Sequence, residues 1–451
     1  MYTKDSKAVV YMSITVSIVI PVHNGQRDLA ACLEAIARSS VAPLECLVVD
    51  DASTDDSVAV AARMGARVIP NTHRSGPASA RNLGARCAQG DLVLFIDADV
   101  CVHTETIGRI QSVFREDEDV AAVFGSYDDS SPADFFSKYK NLQHAFVHRS
   151  ARREAATFWT GCGAVRREVF LALGGFDESF ARPCIEDIEF GDRLVKAGQR
   201  VVVDGSIRVL HRKHYTFLAM LRSDLFDRAI PWTKLILRNS ALPNTLNVDA
   251  LQRTAAAVVC LFIALLVPAI RMGGISSLLA WLTLFYFALT ACWIDARRQG
   301  GYSPLAVAVL LGGLAAVSGN WVLFAWIGST PLIHSTGRPA LQGVWALGGG
   351  LAAGYHLVDE PLSLAAAAAL LIAGLLNRHF YGFLANQHGF LFAAAAVPVH
   401  LFYYVYSVVG FAAGLVSHWL SPLKPRADLP PMEPILAPEP ASKASPTAAG
   451  R

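Results

Sequence analysis

Up to about residue 214, short apolar runs alternate with stretches whose apolar positions recur at helical spacing. Val16–Val22, Leu44–Val49, Ala66–Ile69 and Asp91–Ile96 read as buried strands. Arg27–Ser39, Asp56–Met64 and Gly76–Gln89 read as the helices between them. This alternation predicts an α/β unit: a mostly parallel, Rossmann-like sheet with flanking helices, binding ligands at the carboxyl ends of its strands.

Beyond residue 250 the pattern changes. Thr254–Ile270, Met272–Ile294, Gly301–Gly337, Pro339–Val358, Pro361–Asn377 and Phe380–Leu423 hold no Asp, Glu, Lys or Arg. Each is near or above the roughly 17–25 residues needed to cross a hydrocarbon core. They predict an all-α transmembrane domain over 251–420, with spans near 254–270, 275–294, 304–328 and 390–416. Segments 340–358 and 361–377, separated by Asp359-Glu360, bring the expected total to five or six. Between the two regions, 215–250 is amphipathic. Phe217, Leu221, Leu225 and Ala229 recur at helical spacing, beside Arg222, Arg228, Lys234 and Arg238. Pro231 and Trp232 break and anchor it, as in helices lying on anionic headgroups; the plainer reading is a helix packed on the first domain. The tail 421–451 is rich in Pro, Ala and Ser and is expected to be disordered.

Composition agrees with a chain partly in lipid: 53% of residues are hydrophobic and 17% charged. A net charge of +2 argues against a nucleic-acid partner. The eight cysteines show no CxxC pairing and read as reduced thiols.

Candidate chemistry collects where strands end. Asp97-Ala98-Asp99 directly follows the strand ending at Ile96. Two carboxylates two residues apart can serve one hard divalent cation, which would stabilise a diphosphate leaving group. Asp50-Asp51, before Ser53-Thr54-Asp55, reads either as a helix cap or as a nucleotide contact, with Asp51 accepting from a nucleobase and Asp50 holding the loop. Pro21-Val22-His23-Asn24-Gly25 ends the first strand and its backbone can line a nucleotide. Arg81, near the start of a helix, is either a phosphate contact or a surface cation.

Taken together, Val16-Ser-Ile-Val-Ile-Pro-Val-His-Asn24, Leu47-Val-Val-Asp-Asp-Ala-Ser-Thr-Asp55, Ala78-Ser-Ala-Arg-Asn82 and Phe95-Ile-Asp-Ala-Asp99 resemble the N-terminal half of family 2 glycosyltransferases, which adopt the GT-A fold. The resemblance implies a GT-A domain over 1–214 and an inverting transferase that uses a nucleoside-diphosphate sugar with Mg2+ or Mn2+. It departs from the family at Gly25, where an acidic residue is common. Thr157–Val165 looks like the family's acceptor-side segment, and Gly174-Gly175-Phe176-Asp177-Glu178 like a family turn. Ile185-Glu186-Asp187 resembles the family's ED motif, in which the second acid, here Asp187, is the expected general base beside Glu186. His211, in His211-Arg-Lys-His214, either completes the metal shell or is structural.

The QxxRW motif of processive synthases is replaced by Asp227-Arg-Ala-Ile-Pro-Trp232, which favours single transfer over a polymer channel. Two other readings are a membrane transporter with a nucleotide-binding head, and a nucleotidyltransferase, for which no GxxxxGK[ST] loop is seen. Sugar nucleotides are cytosolic, so the expected placement is a multi-pass protein of the bacterial inner membrane with its catalytic domain inside. Arg297-Arg298 then returns to the cytosol after two spans, and six spans would also bring Lys424 and Arg426 inside. The expected acceptor is a lipid or lipid-linked saccharide. His400, Tyr403, Tyr404 and Tyr406, within an apolar run, either line a lipid groove or pack between helices.

Overall fold

The computed structural model describes residues 14–130, 134–180, 182–239, 248–296, 361–421 and 429–435, with scattered positions between 325 and 349. The expected spans 304–328 and 340–358 fall largely outside the described residues, as do Lys424 and Arg426. The chain divides into two units. One holds Met1–Asp128, His148–Lys213 and Lys424–Arg451; the other holds Asp129–Val147 and His214–Leu423.

In the first unit, among the described residues, eight strands form one sheet in the order β3-β2-β1-β4-β7-β6-β8-β5. The strands are β1 Val16–Val22, β2 Glu45–Asp50, β3 Arg67–Pro70, β4 Leu92–Ile96, β5 Val100–Val102, β6 Val120–Tyr127, β7 Cys162–Arg166 and β8 Arg200–His211. Helices α1 Gln26–Ala37, α2 Ser57–Arg63, α3 Pro77–Cys87, α4 Thr106–Glu116, α6 Arg167–Ala172 and α7 Glu186–Lys196 accompany them. Only β7 and β5 run against the rest. Burial explains the apolar runs: β4 and β6 are buried throughout, as strands covered on both faces must be. Strand β8 runs unbroken from Arg200 to His211, and its register shifts against β6.

Register fixes what meets at one edge. Val22 pairs with Asp50, and Asp50 with Pro70, so the loops after β1, β2 and β3 emerge together. Ile96 pairs with Cys162, which brings Thr157–Gly161 beside Asp97. Val100 pairs with His211, which sets the end of β8 against Asp99.

The second unit is helical. It takes the first part of α5 (Phe135–Ser150), which the sequence reading leaves in the first domain. The cause is aromatic: Tyr139 and Leu142 are buried with Tyr215, Met220, Phe380, Leu384 and Phe392. Further helices are α8 Phe217–Arg222, α9 Ile230–Asn239, α10 Ala250–Ala296, α11 Pro361–Leu376, α12 Arg378–His388 and α13 Phe390–Leu420. Pro231 does not break the amphipathic stretch. A π-helical turn, Ser223–Ala229, precedes it and accommodates the missing N–H. That turn and α9 lie along α13, where a Cβ on Gly410 would come within 2.6 Å of Ala229 and one on Gly414 within 2.5 Å of Thr233. Small residues four apart on each side let the two backbones approach.

The runs expected as spans 254–270 and 275–294 share the single helix α10. Among the described residues, Ala250–Met272 and Phe390–Leu420 are long and apolar enough to cross a membrane. A third span arises if α11 and α12, bent by 64°, count as one. His400 is buried against Phe380 and Tyr404 at ring distances of 4.6 and 4.9 Å, which favours helix packing for that residue.

Candidate active site

The loops after β1 and β2 are stitched to each other. Asn24, at φ 53°, accepts from Thr54 N (2.7 Å) and Asp55 N (3.3 Å) through Oδ1. His23 Nδ1 lies 2.9 Å from Asp51 O. Pro21 is half-buried and Val22 fully so; a side chain at Gly25 would crowd Val22. Ala52 is held at φ 59°, a left-handed conformation that costs a non-glycine residue roughly 1 kcal/mol. Asp50, accepting from Ser53 N at 3.1 Å, fixes that turn.

Asp51 is buried and its carboxylate already takes three donors from the chain. These are Asn71 Nδ2 (3.1 Å), Ser75 N (2.8 Å) and Gly76 N (2.9 Å). It therefore shapes the loop that enters α3, at the place where the sequence reading has it meet a nucleobase. Gly76, at φ 91°, needs to be glycine for this turn.

Arg81 differs most from expectation. It lies in the fifth position of α3, buried, and bridges two carboxylates: Asp97 Oδ1 at 2.6 Å and Glu186 Oε1 at 2.9 Å. Two acids drawn to one cation across three elements make it an internal tie, where the sequence reading places a phosphate contact or a surface cation. Glu186 is also occupied on its other oxygen, which accepts from Cys184 N at 2.9 Å.

Asp187, one position on, is the less committed acid. Its Oδ2 accepts from Thr160 N (3.2 Å) and Thr160 Oγ1 (3.3 Å), and it is half-buried. Burial, with the charge of Glu186, pushes its carboxyl up to about 6, and Arg81 pulls against them.

Asp97 is paired with Arg81. Among the described residues no group of three His, Cys, Asp or Glu side chains is gathered to hold an ion. Asp99 and His211 do meet: Oδ2 and Nε2 are 3.6 Å apart, with His211 stacked on Tyr127 at 4.3 Å. Burial works against the Asp99 carboxylate, but His211 and the charge of Lys213 together outweigh it and hold it below the usual range. One carboxylate oxygen and one imidazole nitrogen fit a divalent cation that takes its remaining ligands from a diphosphate.

Several residues outside the predicted site set shape the site. Asn82 receives Phe176 N at 2.8 Å and donates to Phe176 O and Glu178 Oε1, both at 2.9 Å. It thereby holds the turn Gly174-Gly175, whose φ values of 72° and 64° only glycine adopts readily. Arg193 binds the same turn through Leu173 O and Gly175 O. Beneath lies an aromatic cluster: Phe176 is within 5.0–5.2 Å of Phe95, Phe170 and Phe190. Thr160 and Tyr127 position the acid and the imidazole; the signal for Thr160 was its small-residue segment, and for Tyr127 there was none.

A glycosyl transferase family 2 model matches residues 17–174, the span that carries the first seven strands, Arg81 and the Asp97–Asp99 bend. Residues 17–174 match a glycosyl transferase family 2 domain. The mostly parallel sheet described above is the architecture that the sequence predicts. The matched span stops short of Glu186, Asp187 and His211.

Relatives of this family 2 domain include an uncharacterized glycosyltransferase of Haemophilus influenzae, 26% identical over 40% of this chain and 62% of the relative. An undecaprenyl-phosphate 4-deoxy-4-formamido-L-arabinose transferase of Sodalis glossinidius is 31% identical over 39% of this chain and 61% of its own. The O-antigen chain rhamnosyltransferase WbaN of Salmonella anatum is 24% identical over 48% and 73%. The chain thus spans less than two thirds of the first two. A mannosyltransferase of Pyrobaculum calidifontis, solved with GDP-Man and Mn2+, covers 91% of this chain and 88% of its own at 18% identity and a TM-score of 0.43.

Proposed function

We propose that the chain is an inverting glycosyltransferase that moves one sugar from a nucleoside-diphosphate sugar to a lipid-linked acceptor at the cytosolic face of a bacterial inner membrane. The observation that carries this is the state of Asp187: a half-buried carboxylate pushed up to about 6, oriented by Thr160 and next to a Glu186 that is paired with Arg81. A base for an acceptor hydroxyl works best when its proton affinity lies near the operating pH.

In the reaction, Asp187 takes the proton of the acceptor O–H. The acceptor oxygen forms a bond to the anomeric carbon on the face opposite the diphosphate, and the carbon–oxygen bond to the nucleoside diphosphate breaks. The loop Pro21–Gly25, the Asp50–Asp51 turn and the backbone at Ala98 form the donor side. Arg81 keeps Asp97 and Glu186 in place, its one positive charge offsetting part of theirs. Asp99 and His211 would hold Mg2+ or Mn2+, which when bound supplies charge neutralisation for the leaving diphosphate.

Lipid acceptors are supported by the two membrane-length helices and by the undecaprenyl-phosphate transferase relative. The direct test incubates membranes containing the chain with a panel of nucleoside-diphosphate sugars and extracts the lipid phase. Expected is a single-sugar lipid product whose formation stops in Asp187→Asn. Transfer to water-soluble acceptors alone overturns the lipid reading; nucleotide-sugar binding with no turnover overturns the enzyme reading.

A further inference from the structure

Leu429–Ile435 reads Leu-Pro-Pro-Met-Glu-Pro-Ile and belongs to the first unit. Its backbone reaches two helices: Met432 N donates to Leu171 O on α6 and Ile435 N to Arg86 O on α3, both at 2.9 Å. Leu429 and Met432, each half-buried, lie on the turn Gly174-Gly175. A Cβ on Gly174 would come within 2.5 Å of Leu429 Cβ and 2.6 Å of Pro430 O, and one on Gly175 within 2.6 Å of Met432 Cε. Glycine at both places is what admits the segment. The receiving turn is itself held by Asn82 on α3 and Arg193 on α7, so it offers a formed surface. Three of the seven residues are proline, with φ preset and no N–H to satisfy. An extended segment so stiffened loses little freedom on docking, the device by which proline-rich peptides bind.

The place of this segment in the chain gives the contact its weight. Helix α13 ends at Leu420, so residues 421–428 alone join it to Leu429. A linker of that length reaches at most about 30 Å, the bare thickness of a hydrocarbon core, and a spanning helix needs roughly 17–25 residues. The linker also carries Lys424, Arg426 and Asp428, each costly inside a membrane. It therefore does not cross, and α13 ends on the side where Leu429 docks. Upstream, 214–249 has no run without Asp, Glu, Lys or Arg longer than the ten residues 239–248, so no crossing fits there either.

We infer that Arg86, Leu171 and the Gly174-Gly175 turn form a docking site for Leu429–Ile435, which keeps the end of α13 on the side of the membrane that holds the first unit. Ala250 and Leu420 then lie on one side, and the chain crosses an even number of times between them. The membrane-length helices Ala250–Met272 and Phe390–Leu420 satisfy this as a pair. If α11 and α12 cross as a third, a fourth crossing lies within 273–360. Of the expected five or six spans, only six fits. The crossing count rests on the membrane part of the proposed reading; the docking does not, and neither needs sugar transfer.

Sidedness is read on the full-length chain with one epitope tag before Met1 and another after Arg451, in sealed membrane vesicles of each orientation treated with protease. Expected is loss of both tags in the same vesicles; loss of one tag in each orientation gives an odd count and overturns the inference. Docking is read by amide hydrogen exchange of the full-length chain in phosphatidylcholine nanodiscs. Met432 and Ile435 should exchange about ten-fold or more slowly than in a synthetic peptide of residues 427–437. Met432→Asp should return Ile435 to the peptide rate while exchange in β1 and β4 stays unchanged, which separates undocking from misfolding. Exchange at the peptide rate in the unmutated chain, or protection kept in Met432→Asp, overturns the docking. Release of the chain by alkaline carbonate sinks the membrane reading and the crossing count with it, and the exchange result then decides the docking alone.

Discussion

Two neighbouring acids, Glu186 and Asp187, have been given opposite tasks by their surroundings. Glu186 is consumed by Arg81 and by Cys184 N, whereas Asp187 meets only the weaker donors of Thr160 and its own next amide. Removing the base should cost roughly 10²–10⁴ in kcat. Asp187→Asn is therefore expected to abolish most turnover while donor affinity, read by calorimetry, changes little. The carboxyl is raised, so it carries its proton below about pH 6 and is a base above it. The rate kcat/KM should accordingly climb with pH through about 6 and level off, and a profile flat from pH 5 to 8 would count against Asp187. Arg81→Met leaves two acids without their cation. Breaking a buried pair costs about 3–5 kcal/mol, so thermal unfolding should show a large drop, with Arg81→Lys between the two. The motif around Arg81 announced a cation near the site, but not its partner, because Glu186 lies 105 residues away.

Among the elements, the C-terminal tail departs furthest from its composition. Residues 429–435 of the tail expected to be disordered form backbone hydrogen bonds: Met432 N donates to Leu171 O and Ile435 N to Arg86 O, both at 2.9 Å. Leu429 and Met432 also reach Gly174 and Gly175, the turn that Asn82 holds. Pro and Ala carry no periodic signal, so this contact could not be read ahead of the surface that receives it. Two net hydrogen bonds at about 1 kcal/mol each, plus the apolar contact, give the expected size of the effect. A chain ending at residue 428 should unfold at a temperature a few degrees lower, as seen by differential scanning fluorimetry; an unchanged midpoint would make the strap incidental. In the helical unit, Gly414→Leu should separate α13 from α9 and lower yield and stability in detergent, whereas Gly374→Leu, with nothing within 4 Å, should be tolerated.

For the molecule as a whole, the expected behaviour is that of a membrane-bound, cation-dependent transferase. The chain should stay in the pellet after alkaline carbonate extraction. EDTA should stop sugar transfer and Mn2+ or Mg2+ restore it; activity surviving full chelation would remove Asp99 and His211 from that role. By itself, the sequence determined the β–α alternation, the change to membrane-length apolar runs, and the acids at strand ends. These follow from local periodicity and from residue types, which need no distant partner. Tertiary structure alone decided which acid of the Glu186-Asp187 pair is tied to Arg81. It also decided that His211 meets Asp99, through the pairing of β5 with β8, and that Asp51 holds a loop of its own chain. The same holds for the grouping of α5 with the helical unit and for the pairing of Lys140 with Asp224, 84 residues apart. Contacts between residues so far apart in the chain arise from packing and strand register, which the local pattern leaves open.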